Sequence, residues 1–276
     1  MSLPTDVLAG PVGVDTGAPL ARANPVAKLA VAAVLGLALV LTTDLVTVAV
    51  ALAGVLLALP FAGLGPRALW RRGWVVVVAA VPSGVFTALL GVDSGDVVWA
   101  WSVGGATLLD VTTGSLQSGL AIALRILAIG LPGVVLLATT DPTDLADSLA
   151  QDLHLPHRFV LAGLAGMRLF GVLAEEWQVL TQARRARGLG GGGRWSRLRT
   201  LGGQLFALLV LAVRRATVLS TAMEARGFGA VRERTWARRS RFTARDWAVV
   251  LGGVALAVLA TTVGVLAGTW RLALVG

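Results

Sequence analysis

Residues 119–139 read GLAIALRILAIGLPGVVLLAT, and Arg125 is their only ionisable side chain. A helix rises about 1.5 Å per residue, so a run of this length extends for about 30 Å and matches the hydrocarbon core of a bilayer. The whole chain is 56% hydrophobic and 14% charged, whereas a soluble domain usually carries about 25% charged residues. This stretch therefore predicts a transmembrane helix, and with it a membrane protein.

Four other apolar runs have the same character, and they cover about 27–41, 45–61, 74–90 and 247–267. Only residues 42–44 separate the first two, which predicts a tight helical hairpin. Pro82 lies inside the third run and predicts a kink that neighbouring helices must tolerate. We predict an all-α, polytopic fold with about five transmembrane helices.

The charges of the loops predict the orientation. Of the 24 Lys and Arg residues, 17 lie between Asp141 and Asp246, and others flank the start of the first run and the end of the second. The turn after the first run has only Asp44, and the loop after the third has acidic residues without Lys or Arg: Asp93, Asp96 and Asp110. By the positive-inside rule the N-terminus and the basic segment are cytoplasmic and the C-terminus is outside. The basic segment lacks the interleaved aromatic residues of a nucleic-acid surface, so we expect no nucleic acid partner.

These patterns predict four regions. Residues 1–22 form a polar, disordered tail; 23–140 hold the first four transmembrane helices; 141–245 form a cytoplasmic domain; and 246–276 hold the fifth transmembrane helix. The loop 91–118 is too long for a simple turn and contains Trp99 and Trp101. It is compatible with a short hairpin or with an interfacial segment anchored by the two Trp residues.

The cytoplasmic segment predicts one short helix and two long ones. The short helix opens at Asp141-Pro142-Thr143-Asp144 and ends before Pro156. The long ones cover about 158–187 and 195–226, with leucines recurring along one side of each. Both are too charged for ordinary spans and too apolar to be exposed on all sides. They should pack against each other and against the membrane domain.

Each long helix ends in the same three residues, Ala186-Arg187-Gly188 and Ala225-Arg226-Gly227. A structural explanation suffices for one copy, because Gly commonly terminates a helix in the left-handed conformation and Arg suits the C-terminal dipole. Two copies in one cytoplasmic segment favour a binding role. A guanidinium binds carboxylate and carbonyl oxygens in a fixed fork.

These signatures resemble those of the transmembrane (T) component of energy-coupling factor (ECF) transporters, near the cobalt, nickel or biotin type. The resemblance covers 22–268 and extends to Thr139-Thr140 before Pro142 and to Pro25 with Lys28. Asn24 stands where family members usually have Asp, but Asn also caps helices.

The resemblance implies a non-catalytic coupling subunit for ATP-driven uptake of a vitamin or a transition-metal ion into a bacterial cell. Two ATP-binding cassette ATPase subunits would bind ATP and Mg, so this chain would carry no cofactor. A small membrane protein, the S component, would hold the substrate. The two Ala-Arg-Gly tips would enter grooves on the ATPase subunits, and crossed long helices would relay their motion.

Other motifs predict no chemistry. Gly188, Gly190 and Gly193 spell G-x-G-x-x-G, but a helix precedes them where a dinucleotide site needs a strand. His154 and His157 have no third ligand nearby, so we expect no metal site. Arg125 either faces a polar groove toward a partner or snorkels.

Two other classes remain as alternatives. A membrane-embedded lipid-modifying enzyme would need a cluster of His, Asp or Glu at the membrane face. A secondary transporter would show internal repeats and broken helices with polar midplane residues, and the sequence shows neither.

Overall fold

The computed structural model describes residues 17–91, 95–103, 106–188, 194–228, 236 and 238–270, without the side chains of 98–103, 106–110 and 194–199. The described chain forms two compact units. Residues 142–240 make up the first, here called the arm unit, and residues 17–141 with 241–270 make up the second, the bundle unit. The predicted tail lies largely outside the described residues.

The bundle unit contains five helices and a strand pair within the described residues. The helices are α1 Pro25–Val40, α2 Leu45–Ala58 with a 3-10 turn Leu59–Ala62, α3 Pro66–Leu90, α4 Thr113–Thr139 and α8 Ala244–Leu266. The arm unit contains α5 Pro142–Gln151, α6 His157–Ala186 and α7 Arg194–Ala225. The all-α, polytopic prediction is confirmed.

Five helical stretches in the described part are long and apolar enough to cross a membrane. They are Leu45–Ala62, Pro66–Leu90, Thr113–Thr139, Thr200–Ala225 and Ala244–Leu266. Four of them coincide with predicted spans. The exceptions concern α1 and α7: α1 has 16 residues and is shorter than a full span, whereas the apolar part of α7 lies in a helix that we predicted to be too charged for one. Length and mean hydropathy do not register that Arg214 and Arg215 interrupt this stretch.

Small residues set the packing of the bundle helices. A Cβ atom on Gly119 of α4 would lie 2.5 Å from the carbonyl oxygen of Gly84 in α3, so these two backbones nearly touch. A Cβ atom on Gly253 of α8 would lie 2.7 Å from the side chain of Val31 in α1. Membrane helices associate through such close contacts because lipid provides no hydrophobic drive between them.

Large apolar side chains cover the outside of the bundle unit. On α3, Val75, Val78, Val81 and Val85 are all more than half exposed. A soluble protein would not leave such a continuous apolar face in water. The protein is therefore a multi-pass membrane protein.

The loop between α3 and α4 contains a β-hairpin, the first of the two alternatives for 91–118. Strands β1 Val97–Val103 and β2 Ala106–Thr112 pair antiparallel, with Val97 opposite Thr112 and Val103 opposite Ala106. Thr112 then caps α4 through reciprocal bonds with Ser115, at 3.2 Å and 3.0 Å. The hairpin thus leads directly into the longest bundle helix.

Candidate functional site

The two long helices of the arm unit meet where buried polar groups join them. Gln204 of α7 is 4% exposed, and its amide nitrogen donates to the carbonyl oxygen of Trp177 in α6 at 3.1 Å. Arg184 donates from α6 to the carbonyl oxygen of Thr200 at 2.9 Å. Glu176 of α6 and Arg215 of α7 form an ion pair between the same two helices.

A cleft of about 1340 Å³ lies between α6 and α7. It is lined by apolar side chains that include Leu161, Leu164, Leu211 and Leu219.

The first tip is the C-terminus of α6. The helix ends at Ala186, and the backbone N–H of Arg187 still donates to Ala183 at 3.3 Å. Gly188 has a φ of +73° and donates to the carbonyl oxygen of Arg185 at 3.0 Å. Ala186, Arg187 and Gly188 are all exposed.

The second tip is the C-terminus of α7 and closes with the Schellman bonds. Gly227 has a φ of +76° and donates to Glu224, while Phe228 donates to Met223, each at 2.9 Å. Ala225, Arg226 and Gly227 are exposed. The two tips therefore share a left-handed Gly whose N–H bonds to the residue three positions earlier, and each has its Arg directly before that Gly.

Neither arginine side chain bonds to another described residue, and a Cβ atom on either glycine would meet nothing within 4 Å. The glycines are therefore required for the left-handed backbone and not for packing inside the chain. This confirms the terminator conformation that sequence reasoning offered as the structural explanation. Both arginines are exposed in the part of the chain that the structure describes.

The length of α7 separates the two tips. Arg194 begins α7 shortly after the first tip, and its 32 residues extend for about 48 Å at about 1.5 Å per residue. The second tip lies at the far end of this helix. Two arginines so far apart cannot serve one small binding site.

Arg125 lies against the turn between α1 and α2. Its guanidinium donates to the carbonyl oxygen of Thr42, in the turn between α1 and α2. Asp44, in the same turn, is 6% exposed and caps α2 through the N–H of Thr47 at 2.8 Å. Arg125 thus holds the α1–α2 turn onto α4. Its predicted position, either toward a partner or snorkelling, stays a prediction.

The His and Asp residues at the start of the arm unit bond to the chain around them. His154 has a φ of +53°, and its ring nitrogen lies 3.2 Å from the carbonyl oxygen of Asp152. Asp152 accepts from the hydroxyl of Ser240 at 2.7 Å, and Asp144 pairs with Arg238 at 3.1 Å. In the described part of the chain, no group of three His, Asp or Glu residues is placed to hold a metal ion.

Sequence reasoning missed the role of Asp246. It was read as the boundary of the last span, but its carboxylate is 3% exposed and bonds to the N–H of Asn24 at 2.6 Å. The available signal was an acidic residue three positions after Thr243 at the start of an apolar run, which is a capping-box pattern.

The comparisons with known proteins agree with this architecture. A family model described as "CbiQ: Cobalt transport protein" matches residues 17–236. A protein of Limosilactobacillus fermentum is 29% identical over 208 residues, which cover 72% of this chain and 70% of that protein. A protein of Exiguobacterium sibiricum is 36% identical over a match that covers 44% of this chain and 49% of that protein. A protein of Bacillus subtilis is 32% identical over a match that covers 54% of this chain and 60% of that protein.

All three relatives are named "Energy-coupling factor transporter transmembrane protein EcfT". The family match covers both Ala-Arg-Gly tips and most of the bundle helices. The chain therefore belongs to the CbiQ family and is a transmembrane component of an ECF transporter.

Proposed function

We propose that this protein is the non-catalytic coupling subunit of an ATP-driven ECF-type uptake transporter. Two cytoplasmic ATPase subunits bind its tips, a separate S component binds the substrate, and the arm unit relays motion from the first to the second. The observation that carries the proposal is the pair of matching, exposed Arg caps at Arg187 and Arg226. The tips end two different helices, and the length of α7, about 48 Å, suits one tip for each of two ATPase subunits.

The chemistry of the tips supports docking on protein. An Arg at the C-terminal end of a helix projects a planar fork of donors, which matches carboxylate and carbonyl oxygens in a groove. The glycine that follows each Arg has no side chain, so the end of the helix is narrow enough to enter a groove. A rigid helix behind each fork then transmits displacement along its length.

The outer faces of α6 and α7 support a membrane partner. Phe159, Phe170, Leu205, Phe206 and Leu209 are each more than half exposed. An apolar surface of this kind requires lipid or the apolar surface of another membrane protein. The proposed occupant is the S component, so movement of the two helices would reorient the substrate-binding subunit.

The substrate class in this proposal is a vitamin or a transition-metal ion, and the S component selects it. The family description names cobalt, but this chain would carry neither the cargo nor a cofactor. ATP and Mg would bind to the ATPase subunits. The N-terminus and the arm unit would be cytoplasmic, in agreement with the charge pattern of the loops.

Reconstitution tests the proposal. The chain would be purified alone and with ATPase and S components, and both preparations would be placed in proteoliposomes. We expect ATP hydrolysis and ATP-driven substrate uptake only from the assembled complex. ATP hydrolysis or tight binding of a vitamin or metal ion by the isolated chain would contradict the coupling role.

A further inference from the structure

A polar cluster, here called the junction cluster, joins three chain segments of the bundle unit, and four of its six members are buried. Its members are Asn24, Lys28, Thr139, Thr140, Thr243 and Asp246. These residues come from the first turn of α1, the last turn of α4 and the first turn of α8. The cluster matters because of where the chain passes between units: it leaves the bundle unit after Asp141 and returns at Arg241.

Lys28 is the centre of the cluster. Its side chain is 6% exposed, and its ammonium group donates to the carbonyl oxygens of Ala21 at 3.0 Å and Thr139 at 3.2 Å. It also reaches the hydroxyls of Thr139 at 3.0 Å and Thr140 at 3.4 Å. Lysine is almost never buried without such partners. Here it neutralises the negative end of α4, whose last carbonyls have no partners within the helix.

Asp246 makes the corresponding contact for the returning chain. One carboxylate oxygen accepts from the N–H of Asn24 at 2.6 Å. The other accepts from the N–H and hydroxyl of Thr243, at 2.7 Å and 2.6 Å. Asn24 in turn caps α1 through the N–H of Val26 at 2.9 Å. The first turn of α1 thus bonds to the end of α4 through Lys28 and to the start of α8 through Asn24.

The chemistry of the cluster selects lysine. The chain has 24 basic residues, and Lys28 is its only lysine. Four oxygen atoms surround one nitrogen at 3.0–3.4 Å. A compact ammonium group with three donors fits this arrangement, whereas the larger planar guanidinium does not.

We infer that Lys28 and Asp246 are positioning residues that fasten both covalent connections between the bundle and arm units. Ends of helices fray readily, because their terminal backbone groups lack partners. A force on either connection would be lost in such fraying unless the last turn of α4 and the first turn of α8 were held. The junction cluster holds both to one helix turn. The expected effect on substrate uptake rests on the proposed coupling role.

The test uses the complete complex in proteoliposomes, with Lys28→Met, Lys28→Arg and Asp246→Asn. The control is Arg67→Met, which removes an exposed charge at the start of α3. Complex yield, ATP hydrolysis and substrate uptake are measured together, and amide hydrogen exchange is followed in 139–141 and 241–246.

We expect yield and ATP hydrolysis to stay within about twofold of the wild type, and uptake per ATP hydrolysed to fall about tenfold, in line with the loss of a charged hydrogen bond. Amide exchange should accelerate in 139–141 in the Lys28 variants and in 241–246 in Asp246→Asn. Lys28→Arg should behave like Lys28→Met, and the control should match the wild type.

Three results would overturn the inference: unchanged exchange at either connection, unchanged uptake per ATP, or a fall in uptake that only follows a fall in complex yield. If Lys28→Met does not accumulate, Thr139→Val replaces it, because this variant removes one acceptor of the Lys28 ammonium group and keeps the charge of Lys28. A wild-type ratio of uptake to ATP hydrolysis in Thr139→Val would also overturn the inference. A wild-type complex without ATP-driven uptake would refute the proposed function instead, and the exchange measurement would still decide whether the cluster holds the two ends.

Discussion

Replacing the arginines of the two tips should weaken ATPase docking without harming the protein itself. Arg187 and Arg226 are exposed and have no side-chain bond to another described residue, so Arg187→Ala or Arg226→Ala removes no contact within the described chain. The cost to the helix is that of a lost dipole interaction, about 0.3–1 kcal/mol. Expression, membrane insertion and thermal stability should therefore stay close to those of the wild type.

The cost to docking should be larger. Losing one partner of a buried, hydrogen-bonded charge contact costs about 2–5 kcal/mol, and about 1.4 kcal/mol corresponds to a tenfold loss of affinity. Each single variant should bind the ATPase subunits at least about tenfold more weakly, and the double variant should not assemble. Affinity would be measured with purified ATPase subunits and the protein in nanodiscs.

Two further variants separate docking from a local effect on the helix. Lysine keeps the charge and the dipole interaction but loses the bidentate fork, so Arg187→Lys and Arg226→Lys should recover affinity only in part. Arg214→Ala removes an exposed arginine from the middle of α7 and serves as the matched control. A double Ala variant that co-purifies with its ATPase subunits in full yield would refute docking by the tips.

Three other predictions concern the orientation of the chain and the packing of the bundle unit. Cysteines at Asp96 and His154, both exposed, should react with an impermeant thiol reagent from opposite sides of the membrane, and reaction from one side would refute the predicted orientation. Arg125→Leu should lower thermal stability by about 1–3 kcal/mol, because it leaves the buried carbonyl of Thr42 and the carboxylate of Asp44 without their cation; S-component binding should be unchanged, and weaker binding at unchanged stability would show a partner-facing role. Gly264→Ala should cost about 1–3 kcal/mol, because its Cβ would overlap Thr47 and lie 2.9 Å from Asp44, whereas Gly252→Ala on the same helix meets nothing within 4 Å and should be neutral.

The sequence predicted the elements that one residue pattern determines. Length and hydropathy located α2, α3, α4 and α8, and the Gly residues after Arg187 and Arg226 marked the ends of both arm helices. The boundaries were less accurate: α3 begins at Pro66 and α4 at Thr113, several residues before the predicted spans. In both cases a polar or small-residue first turn extends the helix beyond its apolar part, and hydropathy does not register it.

Contacts between distant segments could not be read from the sequence. The family resemblance includes Thr139, Thr140, Pro25 and Lys28. Their spacing in the sequence, however, does not predict that Lys28 contacts the end of α4. Arg125 was recognised as an unusual charge within a span, yet its partner lies in a turn more than eighty positions earlier. Such pairings depend on which helices pack together. Small residues such as Gly84 and Gly119 allow close packing of two helices, but the sequence does not show which helix each of them contacts.

Lys28, which is buried, and Arg125, which is half-buried, occupy corresponding places in the bundle unit. Lys28 binds the end of α4 at Thr139, and Arg125 of α4 binds the α1–α2 turn at Thr42. The interval from Lys28 to Thr42 along α1 equals that from Arg125 to Thr139 along α4, so the two contacts lie about 20 Å apart at about 1.5 Å per residue. A pair of helices bonded at one point can slide or rotate, whereas bonds at both ends remove these motions. The α1–α2 hairpin and the second half of α4 should therefore move as one body. A displacement of the chain at Asp141 or Arg241 should then move this body as a whole and not deform it.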